Sequence, residues 1–409
     1  MDARTLSPPT FLVMPQQAPT TRAPTSPLDP YTDQALLKPW PLYRELREMG
    51  SAVWLEKYEM FALTRYDVVV KALRDSEAFP SSFGVMMNDD MNQMLRGNTL
   101  CSDGDAHNRL RRVVIRPLTP AALKSLEDEV EREAEALVDR LCAKGRFCAA
   151  AELATYLPVT IVSNGVGLPE EGRERMMQWS IGMFNCFGPM NERARDAVPV
   201  LSEMMHYART HAVPGKLKPG SWAEAIHHAA AAGEVPPEAM PVMMIDYMGP
   251  SLDTTIFAIA SGVWLFANHP DQWDLVRDEP SLIPGAINEI LRIEAPIQGF
   301  SRYVARDYDL DGVRLPAGSR AIVFYGAANR DPRQFPDPDR FDVRRDNAGR
   351  HMAFGAGPHM CLGMNLAKLE IRALFTALAR KVKRIRIDEE ERMLNNVLRG
   401  FRKLIVTVE

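Results

Sequence analysis

Residues 354–363 read FGAGPHMCLG and set a single cysteine, Cys361, behind a run of spaced glycines. The residues that follow, LGMNLAKLEIRALFTALARKV, carry Leu362, Leu366, Leu369, Leu374 and Leu378 at near-helical spacing, so a helix is expected to begin at Cys361. A helix start leaves N–H groups unsatisfied and presents the positive end of the macrodipole, and both favour an anion. A thiol placed there is biased toward thiolate. Gly355, Gly357 and Gly363 remove side chains on both sides of the sulfur, which lets a large flat ligand lie against the backbone. Three chemistries compete for such a cysteine. It can be a buried structural thiol in a glycine-rich turn. It can be a nucleophile with His359 as base, although His359 lies two residues away and no third partner is evident. It can be a thiolate ligand to haem iron, where thiolate donation favours O–O cleavage.

The elements that must hold this segment are mainly helical, with a small β region. LEDEVEREAEALVDRL is an amphipathic helix whose charge run reads as a solvated face. Helices continue to about Ala232, punctuated by Gly188-Pro189 and Pro219-Gly220. From Pro237 to Phe266 the chain is Met-rich and apolar around much of a helical circumference, as a helix crossing a protein interior would be; Asp246 and Asp253 within it argue against a membrane span. Another helix runs from Ser281 to Ile293 and ends at Glu294-Ala295-Pro296. SAVWLEKYEMFALTRY reads as a hairpin, followed by Asp67 as N-cap of a helix over VVVKALRD. Tyr308–Gly326 reads as short strands joined by Asp-Gly and Pro-Ala-Gly turns, DPRQFPDPDRFDVRRDNAG as a proline-rich meander, and LIVTV as a closing strand. Residues 1–27 read as a flexible arm and 28–409 as one domain.

Composition removes several function classes. With 49 basic and 53 acidic residues the formal net charge is −4, so the basic excess of a nucleic-acid binder is missing. The five cysteines are scattered and form no CxxC pair, which speaks against a disulfide framework or a zinc cage and for a reducing cytoplasm. The stretch MDARTLSPPTFLVMPQQAPTTRAPTSP has only four apolar residues in a row, neither a signal peptide nor a membrane span.

The pattern F-x-x-G-x-H-x-C-x-G resembles the haem-ligand loop of the cytochrome P450 family, the haem–thiolate monooxygenases. Glu289-Ile290-Leu291-Arg292 matches that family's E-x-x-R, two charges at i, i+3 on one helix face. Pro338-Asp339-Arg340-Phe341 matches the third member of the same ion network. The resemblance implies a single-domain, mainly α fold with haem b between the long central helix and the cysteine helix, iron ligated by the Cys361 thiolate, and O2 as oxidant. It implies that His107 and Arg111, in CSDGDAHNRLRR, meet the haem propionates together with Arg302 and His359. Ser251-Leu252-Asp253-Thr254-Thr255 resembles the family's acid–alcohol pair, so Asp253 and Thr254 are implied to deliver protons. The chain departs from the family at Gly249-Pro250, where proline removes a ladder bond and kinks the helix. Electrons are implied to come from NAD(P)H through a separate iron–sulfur ferredoxin and its reductase, with Arg109, Arg112, Arg350 and Lys368 on the cysteine side.

Within the family, MFNCFGPMNE, SLDTT, APIQGFSR, GAANRDPR and NNVLRGF resemble bacterial enzymes that demethylate para-methoxybenzoates. By that likeness Phe184, Phe187, Ile297 and Phe300 line a pocket for a flat aromatic ring. Where those enzymes attend a carboxylate with arginine and an Arg-Ser pair, this chain reads Phe83 and Ile245-Asp246. Asp246, Tyr247, Pro250, Ser251 and Thr254 share one helix face. The expected substrate is a small methoxy- or alkyl-substituted phenol or aromatic ether, O-demethylated or hydroxylated. The alternatives are a para-substituted benzoate demethylase and a haem-binding protein without oxygenase activity; the latter has no need of an Asp253-Thr254 relay.

Overall fold

A computed structural model describes residues 23–409; residues 1–22, most of the expected arm, lie outside them. The end of that arm is already part of the body. Thr25–Ser26 pairs in parallel with Val53–Leu55, and Pro24 O accepts the Trp54 N–H at 2.9 Å. These backbone bonds seat the chain on a sheet edge ahead of the expected boundary at residue 27.

The expected hairpin forms as Val53–Leu55 against Met60–Leu63. It belongs to a five-stranded sheet that continues through Arg320–Phe324 to Gly299–Tyr303. In the last pair Phe300 opposes Val323 and Arg302 opposes Ala321. Successive side chains on a strand point to opposite faces, so Phe300 and Arg302 leave the same face two residues apart. A three-stranded sheet joins Arg146–Cys148, Phe401–Val408 and Ile385–Arg392. The rest is helical, as the sequence patterning suggests.

Two helix starts differ from expectation. The helix after the hairpin runs Tyr66–Arg74. Its first N–H is met from a distance, by Asp331 Oδ2 at 2.9 Å, which leaves Asp67 in the first turn rather than at the cap. The last helix runs Met364–Lys381 with Gly363 as N-cap, so Cys361 lies just outside it.

The apolar segment is two helices, Met240–Met248 and Asp253–Asn268, broken over 249–252. Pro250 has no N–H to continue the ladder, and Thr254 Oγ1 donates back to Pro250 O at 3.2 Å. Gly249 is needed for another reason: a Cβ there would sit 2.5 Å from Met183 Cε on the neighbouring Glu170–Phe187 helix. The span Pro237–Asn268 has the length and composition to cross a membrane, but 72 % of its most apolar window is buried inside the protein. It is the central helix of the fold.

The Glu289–Arg292 pair is fully buried, with Arg292 Nε donating to Glu289 Oε2 at 2.6 Å and Nη2 to Oε1 at 2.8 Å. The third member is Arg345, whose Nε donates to Glu289 Oε1 at 3.0 Å. Arg340, expected in that role, turns its guanidinium to solvent and offers only its carbonyl, to Arg292 Nη2 at 3.2 Å. A charge pair at zero exposure needs every N–H and lone pair engaged, and the meander supplies the rest through Pro338 O and Asn329 O.

Candidate active site

The cysteine loop is held by its own backbone. Cys361 N–H donates to Phe354 O at 2.9 Å, and Gly355 N–H to Met352 O at 2.8 Å. Gly355 and Gly357 have φ of 68° and 72°, a region side chains rarely enter. Gly357 also runs so close to the Tyr66–Arg74 helix that a Cβ would lie 2.5 Å from Leu73 O. Gly363 has neither constraint and serves as the helix cap.

Cys361 opens onto a cavity of about 230 Å³. Protein surrounds the sulfur on its other sides, and that burial pushes the thiol above its usual range. The N–H groups of Gly363 and Met364 and the charge of Arg111 push the other way without prevailing. The charge of a coordinated metal would deprotonate the thiol outright.

His107, Arg111, Arg302 and His359 all line this cavity, as expected. The rings of His107 and His359 are 4.3 Å apart. His359 Nε2–H donates to Asp103 Oδ1 at 3.2 Å, and Arg111 Nη2 donates to Met360 O at 2.7 Å, next to Cys361. Arg302 Nη1 donates to Ser301 O at 2.8 Å. His107 is buried and its Nε2 has no hydrogen-bond partner. Burial, then the nearby His359 and Arg111, pull its basicity down to about 4. An orphaned imidazole nitrogen, two guanidiniums and a thiol around one cavity suit a metal macrocycle carrying carboxylates.

On the opposite wall, Pro250, Ser251, Thr254, Thr255 and Ala258 face the cavity. Asp253 does not. It is fully buried, and neither carboxyl oxygen has a well-formed hydrogen bond. Burial pushes its carboxyl up to about 7, against Ser180 on the Glu170–Phe187 helix and the N–H of Thr254. The Ser180 hydroxyl lies near the Asp253 carboxyl without a well-formed hydrogen bond to it.

Phe184, Phe187, Ile297 and Phe300 line the cavity together. Phe184 and Phe300 lie parallel with centroids 6.4 Å apart, and Phe187 is 5.4 Å from each. Asp246 and Tyr247 also face it; Tyr247 OH is committed to Val114 O at 2.7 Å. Phe83 is not part of the site. It is 47 % exposed and stacks on Tyr303 at 4.4 Å, and its carbonyl accepts from Arg320 Nη2 at 2.8 Å.

The structure adds residues that sequence reasoning missed. Glu370 of the cysteine helix lines the cavity, buried, with both carboxyl oxygens unpartnered among the described residues; burial pushes its carboxyl up to about 8. The signal was an acid inside the apolar stripe Leu366, Glu370, Leu374, Leu378. Thr99, Met183 and Trp222 carried no such signal. A separate surface hollow beside Asn164, Arg173 and Lys218 contains none of these groups.

A family model described as Cytochrome P450 matches residues 230–400. Cytochrome p450 CYP199A2 of Rhodopseudomonas palustris is 37 % identical over 382 residues, 92 % of each chain. The cytochrome P450 monooxygenase PikC of Streptomyces venezuelae is 31 % identical over 408 residues, 95 % of each. Among solved structures, the haem domain of Acinetobacter radioresistens CYP116B5 superposes with a TM-score of 0.83 at 22 % identity, covering 93 % of this chain and 97 % of that one.

Proposed function

Because the chain belongs to the cytochrome P450 family and is therefore a haem–thiolate monooxygenase, we propose that it inserts one oxygen atom from O2 into a small aromatic substrate. The reaction is O-demethylation or hydroxylation of a methoxy- or alkyl-substituted phenol or aromatic ether. One observation carries this reading: the Phe184, Phe187 and Phe300 rings stand in the same cavity onto which Cys361 opens. Edge and face contacts among such rings favour a flat ring as guest.

In this reading Cys361 ligates the iron, and Arg111, Arg302, His107 and His359 hold the haem carboxylates. Bound haem supplies dioxygen binding and O–O cleavage. The chain's own work is with protons. Thr254 presents its hydroxyl to the cavity once it releases Pro250 O, and Asp253 behind it, titrating near 7, is poised to recharge that hydroxyl. Electrons come from NAD(P)H through a separate ferredoxin and reductase in the cytoplasm, and the exposed Arg109, Arg112 and Arg350 suit an acidic carrier. Benzoate demethylation is the second reading, supported by the motif likeness of the Phe184 and Phe300 segments.

The test is a panel of small aromatic ethers and phenols added to the haem-loaded enzyme, with spin-state shift and product followed. Shifts and demethylated or hydroxylated products from several members are expected, weakened by Phe300→Ala and left alone by Phe83→Ala. No shift and no product from any member, in enzyme that still binds carbon monoxide, would overturn the reading.

A further inference from the structure

Asp246 stands on the Met240–Met248 helix, eight residues before Thr254 and on the other side of the break at 249–252. It lines the cavity together with Leu95, Leu100, Trp222, Ile245 and Tyr247, and with the polar Asn98 and Thr99. Its Oδ2 accepts the Thr99 N–H at 3.1 Å. Its Oδ1 has no well-formed hydrogen bond among the described residues, and the Thr99 hydroxyl, itself unpartnered, lies beside the carboxyl. The one nearby hydroxyl on the same helix, Tyr247 OH, is spent on Val114 O. Burial pushes the Asp246 carboxyl up to about 7, with Thr99 only partly offsetting it. The cations lining the cavity are Arg111, Arg302, His107 and His359, and none of them hydrogen-bonds Asp246.

A buried acceptor left half-satisfied is costly, and a ligand that supplies the missing donor removes that cost. Where Asp246 is ionised, a ligand that brings a second carboxylate meets a desolvated like charge instead. We propose that Asp246 sets the cavity's specificity: it selects aromatic substrates carrying a hydrogen-bond donor at the end remote from the oxidised position, a phenol hydroxyl or a protonated amine, and turns away carboxylates. This rests on the small-aromatic reading above and sharpens it. A purely structural Asp246, tying the loop at Thr99 to the helix, would weaken all ligands alike.

The test uses haem-loaded enzyme and four para-ethyl ligands of matched size: 4-ethylphenol, its donorless isostere 4-ethyltoluene, 4-ethylbenzylamine and 4-ethylbenzoate. Affinity is read by calorimetry and by spin-state shift. The phenol is expected to bind at least about tenfold tighter than the isostere, the scale of one hydrogen bond to a charged or buried acceptor, and the benzoate at least about tenfold weaker than the phenol. Asp246→Leu should erase the phenol's advantage while 4-ethyltoluene binds as before. Tight amine binding without nitrogen-on-iron absorption supports the ammonium form of donor; an iron-bound nitrogen spectrum counts against it. Equal affinities for phenol, isostere and benzoate in the parent enzyme would overturn the proposal even if Asp246→Leu failed to fold, as would a phenol preference that survives Asp246→Leu. Failure of all four ligands to bind would instead remove the small-aromatic reading beneath it.

Discussion

Thr254 faces the cavity while Asp253, the residue before it, is buried. Adjacent residues of a helix point about 100° apart, so in the proposed relay Asp253 serves Thr254 without touching a substrate. Thr254→Ala is therefore expected to retain substrate affinity within about twofold, a surface-scale effect, and to keep consuming NAD(P)H. Much of that reducing power should appear as hydrogen peroxide instead of product. Equal coupling of electrons to product in variant and parent would contradict the relay.

Three buried carboxyls give the protein a pH signature. Asp246 and Asp253 titrate near 7 and Glu370 near 8, all raised by burial. In the unfolded chain they ionise near 4, so between about pH 4 and 8 the folded state holds more protons. These three groups make stability fall as pH rises through that window, against the depressed His107 and His351, whose contribution runs the other way below about pH 6.5. Glu370→Gln removes one such group, and the apo-protein variant should lose less stability than the parent between pH 5 and pH 8, by a few kcal/mol on the order of the linkage slope. Parallel denaturation midpoints for the two proteins across that range would show that Glu370 is not held neutral.

Much of this was readable beforehand, and the misses have physical causes. The hairpin and the apolar interior segment follow from patterning, although the segment forms two helices rather than one, and the Phe184, Phe187 and Phe300 wall follows from the family resemblance. Asp67 was misplaced as a cap because the true acceptor, Asp331, arrives from 265 residues away. Phe83 was placed in the pocket because its position in the chain suited it, whereas its ring lies exposed and stacked on Tyr303. Glu370 went unread because the patterning treats an isolated acid in an apolar stripe as noise.

Arg345 and Arg340 separate structure from sequence position directly. Arg345→Ala unpairs part of the buried Glu289 charge and is expected to cost about 3–5 kcal/mol, with loss of haem retention on dilution. Arg340→Ala removes a guanidinium that lies in solvent and should change stability by no more than about 0.5 kcal/mol. Chemical denaturation of both variants reads the difference, and a larger loss for Arg340→Ala would reverse the assignment.

The central claim is that Cys361 ligates the haem iron as thiolate. It is tested most directly by the absorption of the reduced protein under carbon monoxide. The parent should show the red-shifted Soret band of thiolate ligation, and Cys361→Ala, reconstituted with haem, should lose that band. A Cys361→Ala protein that keeps the red-shifted band at the parent's position would contradict the account.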